Sequence, residues 1–139
     1  MQKHLSQAEH NHRFYNCICE DYRAEFFDWK ITTLFYTALH WIGALSVKRG
    51  KDIGSTHEEI HANINPRRDG AKMPITVTAW NNYRNLYNYC HTARYEGFVD
   101  YDTWQKIKEA DHAHSVKSFN DFSKYIKDQD IEIKNDLLK

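Results

Sequence analysis

The longest stretch without a charged residue, residues 31–47, limits the folds open to this chain more than any other feature. It contains Thr, His and Ser and is shorter than the roughly 20 apolar residues that cross a bilayer, so it predicts a buried helix and not a membrane span. The helix is apolar almost all round, and such a helix must be covered on every side. The pattern therefore predicts a helix at the centre of a bundle or at a subunit interface, which is a physical reason to expect a homodimer.

Length, charge and cysteine content define the general class of the protein. The 139 residues predict one helical domain over residues 1–139, with its core at about 5–127 and a C-terminal tail at 128–139. A formal charge of zero argues against tight nonspecific binding to nucleic acid, so no DNA partner is expected. The three cysteines form no CxxC pair, which predicts free, buried thiols. The polar N-terminus resembles no signal segment, so we expect a soluble, cytoplasmic protein with no membrane partner.

Capping and breaking residues divide the chain into five predicted helices and no strand, an all-α bundle. Asp28 is the expected N-cap of the second helix, and Gly50 is the expected residue past its end. The predicted helices cover about residues 5–22, 28–50, 55–65, 76–96 and 100–126.

The fourth predicted helix carries an Arg and a His on one stripe. Arg84 and His91 are seven residues apart, close to two turns, so they project from the same side about 10 Å apart along the axis. Asn88 lies between them and Tyr95 extends the stripe. The stripe is rotated by roughly 110° from the centre of the apolar face, at the rim of the monomer or in a groove between subunits. On spacing alone, a solvated Arg and a half-buried structural His, satisfied by a backbone carbonyl, are the favoured explanation of the pair.

Such a pair has chemistry that suits RNA cleavage. RNA carries its own nucleophile, the 2′-OH, and a His can act as general acid or base. An Arg fork can hold the phosphate and stabilise the extra charge of the transition state. No metal or other cofactor is needed, and the products are a 2′,3′-cyclic phosphate and a free 5′-OH. Arg84 and His91 are therefore the candidate catalytic residues.

Four short sequence blocks between residues 28 and 95 resemble the HEPN superfamily of small helical domains, and the likeness covers roughly residues 8–126. The blocks are Asp28-Trp29 opening a helix, Phe-Tyr-Thr-Ala-Leu-His at residues 35–40 inside it, Thr56-His57 opening the next helix, and Ala93-Arg94-Tyr95 closing the fourth. The resemblance implies an up-and-down helical bundle that dimerises. Active members are metal-independent ribonucleases, often toxins or defence effectors, which implies RNA and an antitoxin or another protein as partners.

The HEPN signature is an Arg followed after four to six residues by a His, often with Asn, Asp or His directly after the Arg. Arg84, Asn85 and His91 resemble this signature. By that resemblance Arg84 binds phosphate, His91 is the acid or base, and Asn85 orients one of them. Many members with the Ala-Arg-Tyr ending lack the signature and are non-catalytic, so a binding or nucleotide-sensing module is the alternative.

A second motif, His57-Glu58-Glu59-Ile60-His61, matches the zinc peptidase pattern H-E-x-x-H. On a helix both His would lie on one face, with Glu58 as general base for a metal-bound water. However, the motif opens a short helix, and Ser55–Glu58 and Thr56–Glu59 both fit the capping box. We therefore expect no metal site, with His57 and His61 as the minor alternative.

His40 lies inside the most apolar helix. The simplest interpretation is a neutral core histidine whose ring nitrogen bonds a carbonyl or hydroxyl group. The functional alternative is that His40 supports the fourth helix near His91.

Overall fold

The computed structural model of the protein describes residues 1–92 and 100–133. Those residues contain no strand and form five helices: α1 (Gln2–Asp21), α2 (Phe27–Arg49), α3 (His57–Ile64), α4 (Val77–Thr92) and α5 (Tyr101–Asp128). The prediction of an all-α bundle of five helices is confirmed. No helix in the described ranges is long and apolar enough to cross a membrane.

Helix α2 lies at the centre of the bundle and packs against α1, α4 and α5. Its apolar side chains are covered on several sides, and the fully buried ones include Ile31, Leu34, Ala38, Ile42 and Leu45. The monomer therefore supplies the covering that this helix needs. The homodimer stays a prediction, because the apolar surface of α2 no longer requires one.

The start of α2 differs from the sequence prediction. Its N-cap is Phe26, which adopts a left-handed conformation with φ of 57° and provides no side-chain cap; Asp28 lies in the first turn, so the prediction of Asp28 as N-cap is wrong. The buried Lys30 Nζ instead donates to the carbonyl oxygens of Tyr22 (2.6 Å) and Arg23 (3.2 Å). The end is as expected, because Gly50 is left-handed and its N–H bonds back to α2.

Helix α3 is capped at its N-terminus by Thr56. The Thr56 hydroxyl accepts from the Glu59 N–H at 3.1 Å, and the Glu59 carboxylate accepts from the backbone N–H groups of Ser55 and Thr56. Of the two predicted capping boxes, the Thr56–Glu59 box is the one that forms. The loop after α3 is bonded back to it, since the Met73 N–H donates to the Asn63 carbonyl and the Ile75 N–H to the Ile64 carbonyl. These bonds hold α3 beside the start of α4.

Helices α4 and α5 pack against each other and against α2. The Asp100 side chain caps α5 by accepting from the Thr103 N–H at 3.0 Å. The predicted end of α4, including Ala93 and Tyr95, lies outside the described residues. The thiols are free as predicted, but only Cys90 is buried, whereas Cys17 is exposed.

Candidate functional site

Helix α4 has two faces of different character. One face is buried in the core and consists of Ala79, Trp80, Tyr83, Leu86 and Cys90. The other carries Arg84, Tyr87 and His91, spaced three and four residues apart, so that they form one ridge along the helix. Arg84 and Tyr87 line an open cleft between α3 and α4, which we call the α3–α4 cleft, whereas His91 lies one turn beyond its lining.

The α3–α4 cleft has a volume of about 390 Å³. Helix α3 and the loop after it form one wall, and residues 80–87 of α4 form the other. The lining residues are Glu58, His61, Ala62, Asn65, Arg68, Trp80, Arg84 and Tyr87. Two of these residues, Arg68 and Arg84, are arginines, and their positive charge suits a phosphate ligand.

Arg84 is half-buried, and an aromatic ring holds its head group in position. The guanidinium carbon lies 5.4 Å from the centroid of the Trp80 ring, within the range of a cation–π contact. No carboxylate in the described part of the chain forms an ion pair with Arg84. The guanidinium is therefore oriented by Trp80 without being neutralised by a described residue, and it can bind an anion from solution.

Tyr87 connects the two ends of the ridge. Its ring stacks on His91 with centroids 5.8 Å apart and ring planes 20° from parallel. On its other side the Tyr87 ring meets His61 of α3 edge-on, with centroids 4.3 Å apart. His91 is exposed to solvent in the last described turn of α4.

His61 lies deepest in the cleft. Burial, followed by the Arg84 guanidinium and the His57 imidazole, lowers the pKa of His61 to about 4. The ring is therefore neutral at pH 7, and its buried Nε2 makes no hydrogen bond to another described group. A neutral imidazole beside Arg84 can donate or accept one hydrogen bond without competing for the anion.

Asn85, Asn88 and His40, three of the predicted supporting residues, do not line the cleft, and the fourth, Tyr95, lies outside the described residues. Asn85 is exposed, and its side-chain amide lies 3.4 Å from the Ser118 hydroxyl of α5, on another side of α4. Asn88 is also exposed to solvent. The structure pairs His40 with His4 of α1, Nδ1 to Nδ1 at 3.2 Å, which explains its position by the packing of α1 on α2.

The H-E-x-x-H motif faces the same cleft but has few metal ligands around it. His57 and His61 are half-buried against aromatic rings of α2 and α4. The ring centroids of Phe35 and His57 are 5.6 Å apart. Glu59 is engaged in the cap of α3, whereas Glu58 is exposed at the rim. Within residues 1–92 and 100–133, no group of three or more His, Cys, Asp or Glu side chains could hold a metal ion.

Sequence reasoning did not identify several lining residues of the cleft. Trp80 and Tyr87 are aromatic residues at core-like spacing on α4, and Arg68 lies in the loop between α3 and α4. Tyr87 could have been found, because it is three residues after Arg84 and four before His91. Arg68 could not, because nothing local predicts how the loop folds back.

No protein-family model matches this sequence, and neither the curated proteins nor the solved structures contain a match to it.

Proposed function

We propose that this protein is a HEPN-like endoribonuclease that cleaves RNA without a metal ion, with Arg84 binding the scissile phosphate and His91 transferring a proton. The observation that carries the proposal is the ridge of Arg84, Tyr87 and His91 beside the open α3–α4 cleft. It combines a guanidinium that makes no ion pair with a described carboxylate, an aromatic stacking surface and a solvent-exposed histidine on one helix face.

The phosphate would bind at the arginines of the cleft. Arg84 is held against Trp80, so little side-chain freedom is lost when it makes hydrogen bonds to an anion. Arg68 lines the same cleft and supplies a second positive charge. Charge-assisted hydrogen bonds of this kind stabilise the additional negative charge that develops on the phosphorus oxygens in the transition state.

The proton transfers are assigned to the imidazoles. One group must take the proton of the attacking 2′-OH, and another must protonate the leaving 5′-oxygen. His91 supplies one of these groups, and in the homodimer that the resemblance implies, His91 of the second copy supplies the other. Tyr87 keeps the His91 ring in a stacked orientation, while the neutral His61 supports Tyr87 from the opposite side.

RNA cleavage by the purified chain in the presence of EDTA tests the proposal. We expect the wild type to leave 2′,3′-cyclic phosphate ends, and we expect Arg84→Ala and His91→Ala to lose at least about 100-fold in rate. The matched controls are Arg13→Ala and His10→Ala, which remove the same two residue types from exposed positions on α1. Equal cleavage by all five proteins would mean that the activity belongs to a contaminant.

A second candidate function is a non-catalytic module that binds RNA or a nucleotide. It is favoured by the separation of the two groups, because Arg84 packs on Trp80 at one end of the cleft and His91 lies about 10 Å further along α4. That spacing suits a nucleotide whose base stacks on the His91 ring and whose phosphate binds Arg84. This function would be established instead if the wild type bound RNA without cleaving it and Arg84→Ala lost the binding.

A further inference from the structure

Two histidines from different helices meet outside the α3–α4 cleft. His4 of α1 and His40 of α2 are both half-buried, and their Nδ1 atoms lie 3.2 Å apart. The ring centroids are 5.5 Å apart and the ring planes are inclined by 38°. Since both Nδ1 atoms point toward each other, one ring must carry its proton on Nδ1 and donate it to the other.

The separation of these nitrogens is close to that of two ligands on one metal ion. Two imidazole nitrogens bound at 2.0–2.1 Å to a tetrahedral ion are roughly 3.3 Å apart. A small rotation of each ring would direct both lone pairs to a common point beside the line that joins the nitrogens. The two ligands come from separate helices, so the fold and not local sequence brings them together.

We propose that His4 and His40 form a binding site for a divalent transition-metal ion of the zinc type, with water completing the coordination. Imidazole is a preferred ligand of Zn²⁺, Ni²⁺ and Cu²⁺. Binding moves the donor ring's proton from Nδ1 to Nε2, so both rings remain neutral and no net proton is released. The ion replaces the shared hydrogen and links α1 to α2.

Gly43 provides the space in which the His4 ring lies. A Cβ atom at position 43 would be 2.6 Å from the Cε1 and Nδ1 atoms of His4, closer than real Cβ atoms come. The absence of a side chain there allows the imidazole to lie against α2 and face His40. This dependence gives the site a third residue that can be tested without removing a ligand.

Burial, assisted by nearby positive charge, favours the neutral imidazole that binds metal at both positions. Burial, the N-terminal amino group and Lys3 lower the pKa of His4, and burial and His4 lower the pKa of His40. Both rings are therefore neutral at pH 7. The same positive charges oppose a dication, and the described residues contribute no third protein ligand, so we expect micromolar and not nanomolar affinity.

Zinc titration of the full chain by calorimetry, with the thermal unfolding midpoint measured in parallel, tests the site. We expect one Zn²⁺ per chain in the wild type and a higher midpoint, because the ion binds only the folded state. His4→Ala, His40→Ala and Gly43→Ala should each weaken binding at least tenfold and abolish the shift. The controls His10→Ala and His57→Ala should bind zinc as the wild type does.

Two results would overturn the proposal. One is zinc binding that persists in His4→Ala and His40→Ala, and the other is binding that disappears in His57→Ala, which would assign the ion to the α3 pair. If a variant fails to fold, the wild type alone decides through its histidine side-chain ¹⁵N spectra. Zinc should move the Nδ1 signals of two histidines, assigned to positions 4 and 40, and movement elsewhere would refute the site.

Discussion

Helices α2 and α4 differ in how they divide their surface between core and solvent. Among its 23 residues α2 buries 13, and its most exposed aromatic residue, Trp29, lies in its first turn. Among its 16 residues α4 buries five, and its remaining surface carries Arg84, Tyr87 and His91. Helix α2 therefore forms the centre of the fold, whereas α4 packs into the fold with one face and presents polar and aromatic side chains on its other face.

This difference has a physical consequence for mutations. A side chain of α2 is surrounded by packed neighbours, so its removal leaves a cavity. A side chain on the cleft face of α4 is partly solvated, so water replaces its contacts. Substitutions on α2 should therefore affect mainly the free energy of unfolding, whereas substitutions on the cleft face of α4 should affect mainly ligand binding and chemistry.

Leu34→Ala should lower the free energy of unfolding by about 2–5 kcal/mol, because Leu34 is fully buried at the centre of α2. Urea unfolding followed by circular dichroism measures the change. Trp29→Ala, at a residue 55% exposed on the same helix, is the control and should cost less than about 1 kcal/mol. A similar loss in both variants would contradict the view of α2 as the central helix.

The environment around α2 should also make stability depend on pH. Burial lowers the pKa of His12 to about 4, and its ring packs against Trp41 of α2 and Phe119 of α5. The unfolded chain therefore binds more protons than the native one between pH 6.5 and 4, so the free energy of unfolding falls as the pH falls through that range. His12→Phe should show a shallower decline in thermal midpoints measured from pH 7 to pH 4.

The decline in His12→Phe should not vanish, because burial also lowers the pKa of His61 and of His112 to about 4. An identical pH profile for the wild type and His12→Phe would mean that His12 is hydrated in solution.

Thr56→Ala removes the hydroxyl that caps α3 and should cost about 1 kcal/mol in the free energy of unfolding. Ser55→Ala is the matched control, because only the backbone N–H of Ser55 takes part in the cap. Chemical denaturation of both variants provides the measurement, and equal stabilities would show that the capping box contributes nothing.

Arg84→Ala should change the free energy of unfolding by less than about 0.5 kcal/mol, the smallest effect of the four, because Arg84 is half-buried and makes no ion pair with a described carboxylate. The same substitution should have the largest effect on the proposed RNA chemistry. A loss above 2 kcal/mol by urea unfolding would place Arg84 among the core residues and remove the contrast between the helices.

The sequence predicts the helices well because each carries a local signal. The uncharged run at residues 31–47 indicated a central helix, and Gly50 and Thr56 are termination and capping residues with specific backbone chemistry. Asp28 failed as N-cap because α2 begins one residue earlier, at Phe27, after the left-handed Phe26. The Lys30 side chain in its first turn reaches back to the carbonyl groups at the end of α1. Such a contact depends on how two helices meet, which a local pattern does not encode.

The sequence predicted only the part of the candidate site that lies on a single helix, α4. Arg84 and His91 share a stripe because of helical geometry, which the sequence does encode. The second wall of the cleft comes from α3, and His61 enters it only because the loop after α3 bonds back at Met73 and Ile75. For the same reason the pairing of His40 with His4 was not predicted, since it joins residues 36 positions apart.

The contact of Lys30 with the end of α1 also affects the order of folding. Helices α1 and α2 are neighbours in sequence, pack extensively and are fastened at one end by Lys30 and at the other by the His4–His40 bond. Closing a short connection costs little chain entropy, whereas α2 and α5 meet only after the segment containing α3 and α4 is spanned. We therefore expect the first two helices to form a folding unit that assembles early, with α5 completing the core around it.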